Sequence, residues 1–176
     1  MAVSEGYYGI GLLDADNWVE PDHIACCIET ASKYPDADYL VGRMFQRRPD
    51  ETVLPVPEDP FPDHVDTNCF FFLPGSFHML SHFSVMPQEF SIVGDKVFNL
   101  AMKGAGMISA KLPHRTVNYS CLWPSMYRIV GETPLPEAKQ DIDVSHLDVW
   151  LRERSPRELE LIARRAGVRF IANRTE

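Results

Sequence analysis

The sequence predicts an α/β fold, and three observations lead to this class. Apolar segments that suit strands alternate along the chain with segments of helical periodicity. The chain has 176 residues and 45% of them are hydrophobic, which is enough for one domain with a sizeable core. No apolar run approaches the roughly 18 residues that a membrane span requires, so these residues are expected to form that core.

The first predicted element is a buried strand over residues 7–13, an apolar and aromatic run that ends in acidic residues. Its C-terminal end would deliver Asp14 and Asp16 to an edge of the sheet. A helix follows, with Pro21 at its first position. Spacing at i, i+3, i+4 and i+7 predicts its buried face as Ile24, Cys27, Ile28 and Ala31. On that face, the adjacent Cys26 and Cys27 cannot both contact the core.

Two further strands are predicted over residues 39–45 and 65–73. Between them, residues 49–62 hold five prolines and four acidic residues, which predicts a loop. Residues 52–54 within that loop could add a short edge strand.

A second helix is predicted over residues 96–103, with Gly104 at its end. Short strands are predicted over residues 107–110 and 116–119, and a helical stretch over residues 125–130.

Residues 132–136 contain two prolines and are typical of a linker. We therefore predict a main domain over residues 1–131, followed by a linker and helical tail over residues 132–176. The last helix carries a full set of start and stop signals. They are Ser155 as N-cap, Pro156 at the first position, Glu158 to complete a capping box, and Gly167 at the end.

Charge and cysteine content narrow the class of protein. The formal net charge of −8 and the isoelectric point near 5.2 argue against a nucleic-acid binder, which would present a basic face. The N-terminus lacks the pattern of a secretory signal. The spacing of the four cysteines matches no zinc or redox motif, which favours reduced thiols and a cytoplasmic location.

Asp14-Ala15-Asp16 is the main chemical motif of the chain. Ligands bind outside the carboxyl ends of strands in open α/β sheets, where these carboxylates are expected. Mg²⁺ and Mn²⁺ bind through one or two carboxylates together with substrate phosphates. The motif alone supports an acidic turn that caps the following helix equally well.

Residues 11–21, Gly-Leu-Leu-Asp-Ala-Asp-Asn-Trp-Val-Glu-Pro, resemble the metal-binding signature (the DXD motif) of family 2 glycosyltransferases, which have the GT-A fold. The similarity continues in the same order at residues 65–70, at Gly94-Asp95-Lys96 and at residues 115–119. It covers residues 7–131. It implies a partial GT-A-like mixed sheet flanked by helices, from which the family's N-terminal βαβ half is absent.

The resemblance also implies roles for individual residues. Asp16 would bind Mn²⁺ or Mg²⁺ directly, and Asp14 would contact the nucleotide ribose or the metal through water. Asp95 would be the general base, and His114 lies where the fold often supplies a third metal ligand. Two alternatives stay open: Asp95, preceded by Gly94 instead of the family's glutamate, could be a helix N-cap, and His114 could be a surface histidine.

The implied activity is inverting transfer of a sugar from a nucleotide-sugar donor to the hydroxyl of an unknown acceptor. The main alternative is a non-catalytic remnant of this fold that acts as a binding or assembly module. A metal-dependent phosphohydrolase is disfavoured because no third ligand is well placed. Without the nucleotide-binding half, the strand over residues 7–13 would be an exposed edge, so we expect a homo-oligomer.

Overall fold

The computed structural model describes residues 5–57 and 64–168. The chain divides into two compact units. The sheet unit combines Met1–Phe77 with Ile108–Asp141, and the helical unit combines His78–Met107 with Ile142–Glu176. The α/β class is confirmed, with a mixed sheet and packed helices. Within the described ranges, no helix is both long and apolar enough to cross a membrane.

Among the described residues the sheet has six strands, all in the sheet unit. They are β1 (Ile10–Gly11), β2 (Trp18–Val19), β3 (Tyr39–Arg47), β4 (Val53–Leu54), β5 (Phe70–Phe72) and β6 (Ser109–Ser120). The order is β1-β5-β3-β6-β2, and β4 pairs separately with β3. The β3–β6 pair is parallel and the other pairs are antiparallel. Therefore β1, β3 and β6 run in one direction, and their carboxyl ends point to the end of the sheet at which β5 begins.

Helices occupy both units. The α-helices are α1 (His23–Lys33), α2 (Ser81–Val85), α3 (Gly94–Gly104), α4 (Pro124–Ile129), α5 (Ser145–Arg152) and α6 (Pro156–Ala166). Short 3-10 segments lie at Thr67–Cys69, Pro74–Leu80 and Gln88–Val93. The predicted strand over residues 39–45, the edge strand at 52–54 and the helix at 125–130 are confirmed to within two residues. Residues 58–62 of the predicted loop lie outside the described residues.

The strand predicted over residues 7–13 is shorter and more exposed than expected. Only Ile10–Gly11 pairs with β5, and the side chains of Tyr7, Tyr8 and Leu13 are 56%, 58% and 51% exposed. The prediction of a buried strand was wrong because β1 is an edge strand with one neighbour. Its position as an edge agrees with the expectation from the sequence.

Two other strand predictions change for local reasons. The first half of the predicted strand 65–73 is the 3-10 turn Thr67–Cys69, because the Asp66 carboxylate accepts the Asn68 N–H at 2.9 Å. The predicted strands 107–110 and 116–119 form one strand, β6, despite Pro113. Its register with β3 shifts around Arg43, and this irregularity accommodates a proline within the sheet.

Helix α1 buries a different face from the predicted one. Its buried residues are His23, Cys26, Cys27, Thr30 and Ala31, whereas Ile24 and Ile28 are 54% and 50% exposed. Adjacent helical residues are about 100° apart, so both cysteines fit within one broad buried stripe. Pro21 lies before the N-cap, Asp22, because the Glu20 N–H still donates to the Thr116 carbonyl and extends the pairing of β2.

A buried histidine anchors α1 to the sheet. His23 Nδ1 lies 2.7 Å from the Thr116 hydroxyl on β6, and Nε2 lies 3.7 Å from the Cys27 sulfur. Burial lowers the pKa of His23, although the negative charge of Asp22 opposes this shift. The folded chain therefore favours the neutral imidazole.

This histidine should make folding stability depend on pH. In the unfolded chain His23 titrates near its ordinary value of about 6.5, so that state binds the proton more readily. The contribution of neutral His23 to the free energy of unfolding should be full above that pH and should fall as the pH drops below it. Urea unfolding between about pH 7.5 and 5.5 should show this loss as a decrease in the free energy of unfolding with falling pH. The decrease per pH unit should be smaller for His23→Gln. His78→Gln changes an exposed imidazole and should retain the wild-type slope; equal slopes in all three proteins would contradict the assignment.

The helical unit is organised around one apolar cluster. Phe90, Val97, Leu147, Ile162 and Ala166 are buried together, so α3 and the tail helices α5 and α6 share a core. The predicted caps of α6 are confirmed. Ser155 and Glu158 form a reciprocal capping box, and Gly167 ends the helix in the left-handed region at φ +70°.

Candidate metal site

The turn between β1 and β2 presents the Asp14-Ala15-Asp16 motif. The Asn17 N–H donates to the Asp14 carbonyl at 3.1 Å and closes a four-residue turn. Asn17 is buried, and its Oδ1 accepts the N–H of Ser120 at 2.8 Å. Asp14 and Asp16 remain exposed. The turn is thus fixed to the end of β6 and leaves both carboxylates accessible; since β2 follows it, it does not cap α1.

Asn68 connects this turn to a third carboxylate. Its side chain is only 3% exposed, and its Oδ1 accepts the Asp14 N–H at 2.6 Å. Its Nδ2 donates to Asp14 Oδ2 at 2.9 Å and to Asp66 Oδ1 at 2.7 Å. One buried amide therefore holds the carboxylates of Asp14 and Asp66 beside each other, although these residues are far apart in the chain.

Two further side chains complete what we call the acidic site: Asp14, Asp16, His64, Asp66, Asn68 and Tyr119. A ring nitrogen of His64 lies within 4.8 Å of an Asp66 carboxylate oxygen. Burial raises the pKa of Tyr119 to about 12, and the negative charges of Asp66 and Asp16 add to that shift, whereas a hydrogen bond from Trp123 opposes it. The phenol therefore stands close enough to both carboxylates to interact with them electrostatically.

A network of charged and polar side chains, separate from the acidic turn, also fixes the end of β6. Arg47 Nε donates to the Oδ1 of the buried Asn118 at 2.7 Å, and Asn118 Nδ2 donates to Glu20 Oε1 at 3.0 Å. An ion pair at 3.4 Å between Arg47 and Glu20 closes the network. These contacts join β3, β6 and the residue after β2, so the strand that carries Tyr119 has little freedom to move.

The donor atoms of the acidic site suit a hard divalent cation. Carboxylate oxygens are the ligands that Mg²⁺ and Mn²⁺ prefer, and Mg²⁺ typically keeps several waters and uses one or two carboxylates with substrate phosphates. Asp14 and Asp16 are exposed and Asp66 is half-buried, so a hydrated ion and a phosphate could reach them. His64 adds a nitrogen donor at the same place.

The structure does not bring His114 to this site. His114 lies in β6, where its Nε2 is 3.2 Å from the carboxylate of Asp22 at the start of α1. It precedes Ser120, the contact of the acidic turn, by six residues of strand, or roughly 20 Å. Among the described residues, no three-ligand cluster contains Asp14, Asp16 or His114.

Asp95 lies in the helical unit, in the first turn of α3. Its Oδ1 accepts the N–H of Lys96 at 2.6 Å, and its side chain is half-buried. The alternative that Asp95 is the N-cap was wrong, because the helix begins at Gly94 and its N-cap is Val93. An acidic residue in a first helical turn still stabilises the helix electrostatically.

Several residues of the acidic site were not identified from the sequence as site residues. They are His64, Asp66, Asn68 and Tyr119. One signal was present, because Asp66 and Asn68 have the spacing of an Asx turn just before the apolar run Phe70–Phe72. That spacing predicts the turn, but it does not reveal that Asn68 contacts Asp14.

Comparison of the chain with protein-family models, with curated proteins and with solved structures found no match. The function therefore has to be inferred from the chemistry of its own residues. The acidic site offers carboxylates, an imidazole, a buried amide and a protonated phenol at one end of a mixed sheet.

The buried amide of Asn68 should be essential to the acidic site. Asn68→Leu keeps a similar volume but removes the acceptor of the Asp14 N–H and the Nδ2 donor to two adjacent carboxylates, so we expect a loss of about 2–4 kcal/mol in unfolding free energy. The matched control is Thr67→Ala in the same turn, which should change stability by less than about 0.5 kcal/mol. Urea unfolding measures both, and equal small effects would contradict the role of Asn68.

Proposed function

We propose that this chain is a metal-dependent glycosyltransferase of GT-A type. It would transfer a sugar from a nucleotide-sugar donor to an acceptor hydroxyl with inversion of the anomeric carbon. The observation that carries the proposal is the position of the Asp14-Ala15-Asp16 turn. The turn follows β1 in a mixed sheet, exposes both carboxylates and is fixed by the buried Asn68 against a third carboxylate, Asp66.

The donor atoms of the turn support a site for the diphosphate of a nucleotide-sugar. Asp16 would hold Mn²⁺ or Mg²⁺, with Asp14 as a second ligand directly or through water. When bound, such an ion supplies positive charge that neutralises a departing diphosphate. The chain's own contribution is to keep the carboxylates accessible and fixed, since Asn68 and Asn17 hold the turn at both sides.

Asp95 is the proposed general base. In the transfer, the acceptor oxygen forms a bond to the anomeric carbon while the bond from that carbon to the diphosphate oxygen breaks. The diphosphate leaves with the electron pair of that bond, and the hydroxyl proton passes to the Asp95 carboxylate. Its support is the resemblance around Gly94-Asp95-Lys96 together with its half-buried position at the start of α3.

Thermal or chemical unfolding in the presence of Mn²⁺, UDP or GDP tests the proposal. A ligand that binds only the folded chain stabilises it by about 2.7 kcal/mol at a hundredfold excess over its dissociation constant. We expect stabilisation that requires both metal and nucleotide and that is lost in Asp16→Asn. Because Asp16 is exposed, this change should leave folding intact.

The matched control is Asp36→Asn. Asp36 is an exposed carboxylate of the same unit, but it lies in the turn before β3, at the opposite end of that strand from Arg47. This variant should respond to metal and nucleotide like the wild type. If Mn²⁺ with either nucleotide does not stabilise the wild-type chain, the proposal of a transferase is wrong and a non-catalytic binding module is favoured.

Self-association through β1 is a second part of the proposal. β1 ends the sheet, and the exposed Tyr7, Tyr8 and Leu13 flank it without the lysine or proline that usually protects an edge. Pairing of two β1 edges would cover these side chains. Sedimentation equilibrium should show an oligomer that Tyr8→Lys dissociates, whereas Tyr34→Lys, at a comparably exposed tyrosine after α1, should not. A monomeric wild type would overturn this part alone.

A further inference from the structure

We propose that Tyr119 is a ligand-binding residue of the acidic site and that its phenolic O–H donates a hydrogen bond to an anionic oxygen of a diphosphate. The inference rests on the proposed function, because the diphosphate is the part of a nucleotide-sugar that would bind at Asp14 and Asp16. It adds a neutral donor to a site otherwise described by its carboxylates.

The position of Tyr119 follows from the end of β6. Ser120, the next residue, donates its N–H to Asn17 Oδ1 at 2.8 Å, which places the acidic turn against this part of the strand. Asp66 and Asp16 both act electrostatically on the phenol. Tyr119 therefore lies near both the turn that follows β1 and the segment that precedes β5.

Trp123 limits the directions in which the phenolic proton can point. The indole Nε1–H of Trp123 donates to the Tyr119 oxygen at 2.8 Å. An indole nitrogen only donates, so the tyrosine's own proton takes no part in that bond. Among residues 5–57 and 64–168, none accepts this proton. The hydroxyl proton therefore points away from the indole and is available to an acceptor on a ligand.

Trp123 is itself held in place. It is half-buried, packs against the cluster around Cys121 and Tyr127, and the Lys139 ammonium lies 4.9 Å from its ring centroid. A fixed indole fixes the phenol that it contacts. A donor that is already oriented loses little freedom when a ligand binds, which increases affinity.

The phenol also keeps its proton at any physiological pH. Burial, with the nearby carboxylates, raises the pKa of Tyr119 to about 12. It therefore serves as a donor and not as a base. A carboxylate in the same place would repel a diphosphate, whereas a neutral donor attracts it. The negative charge of the other carboxylates would then be neutralised by a cation.

The test compares Tyr119→Phe with Trp123→Phe by titration calorimetry. The probes are Mn²⁺ alone, then UDP or GDP at saturating Mn²⁺. Tyr119→Phe should weaken nucleotide binding by about tenfold or more, because it removes a hydrogen bond to a charged group, and should leave Mn²⁺ affinity unchanged. The loss should be the same at about pH 6 and pH 9, since the phenol stays protonated across this range.

Trp123→Phe separates a structural role from a binding role. Both variants lose the 2.8 Å bond between the two side chains, so both should unfold more easily. Trp123→Phe removes only the group that orients the donor, so it should weaken nucleotide binding by no more than about threefold, whereas Tyr119→Phe removes the donor itself.

The outcomes distinguish this inference from the proposed function. Wild-type nucleotide affinity in Tyr119→Phe, with binding lost in Asp16→Asn, would overturn the role of Tyr119 and leave the transferase standing. Equal weakening in Tyr119→Phe and Trp123→Phe would also overturn it, because the effect would then be structural. A wild-type chain that binds neither UDP nor GDP with Mn²⁺ would overturn both proposals.

Discussion

The hydrogen bonds of one buried amide, the side chain of Asn68, determine the geometry of the acidic site. Asp14 and Asp66 carry like charges and would repel each other if left without donors. Asn68 supplies an N–H group to each carboxylate and accepts the Asp14 backbone N–H, and its burial removes water as a competing partner. An arrangement of this kind lowers the cost of binding a cation, because the ligands are gathered before it arrives.

The sheet explains how distant segments reach one place. β1 and β3 run in the same direction on either side of the reversed β5, so the chain that leaves β1 meets the chain that enters β5. β6 lies parallel to β3, and its last residue reaches the acidic turn through Asn17. A polar residue at any of these strand ends is therefore placed near the others by topology alone, and only buried amides such as Asn68 and Asn17 then fix its position.

Features set by near neighbours in the chain could be predicted, and those set by distant contacts could not. The capping box of α6 involves Ser155 and Glu158, three residues apart, and the apolar run of β3 is enough to predict that strand. The buried face of α1 was misjudged because small residues, Cys26 and Cys27 among them, face the sheet while larger isoleucines face solvent. The acidic motif was recognised, whereas Asn68 and Tyr119 were missed. Asn68 contacts Asp14, 54 residues away in the chain, and Tyr119 interacts with Asp16 and Asp66, which belong to distant segments.

The composition of the acidic site also makes the proposed binding of a diphosphate depend on a cation. Carboxylates repel a diphosphate, and one neutral phenol cannot offset that repulsion, so appreciable nucleotide binding would need a cation, bound before the nucleotide or together with it. Thermodynamic linkage makes this dependence reciprocal: whatever factor the metal adds to nucleotide affinity, the nucleotide adds to metal affinity. Exposed ligands such as Asp14 and Asp16 hold a hydrated ion weakly when alone. In the proposed function, tight metal binding would be a property of the ternary complex, and we expect the acidic site to bind Mn²⁺ weakly by itself.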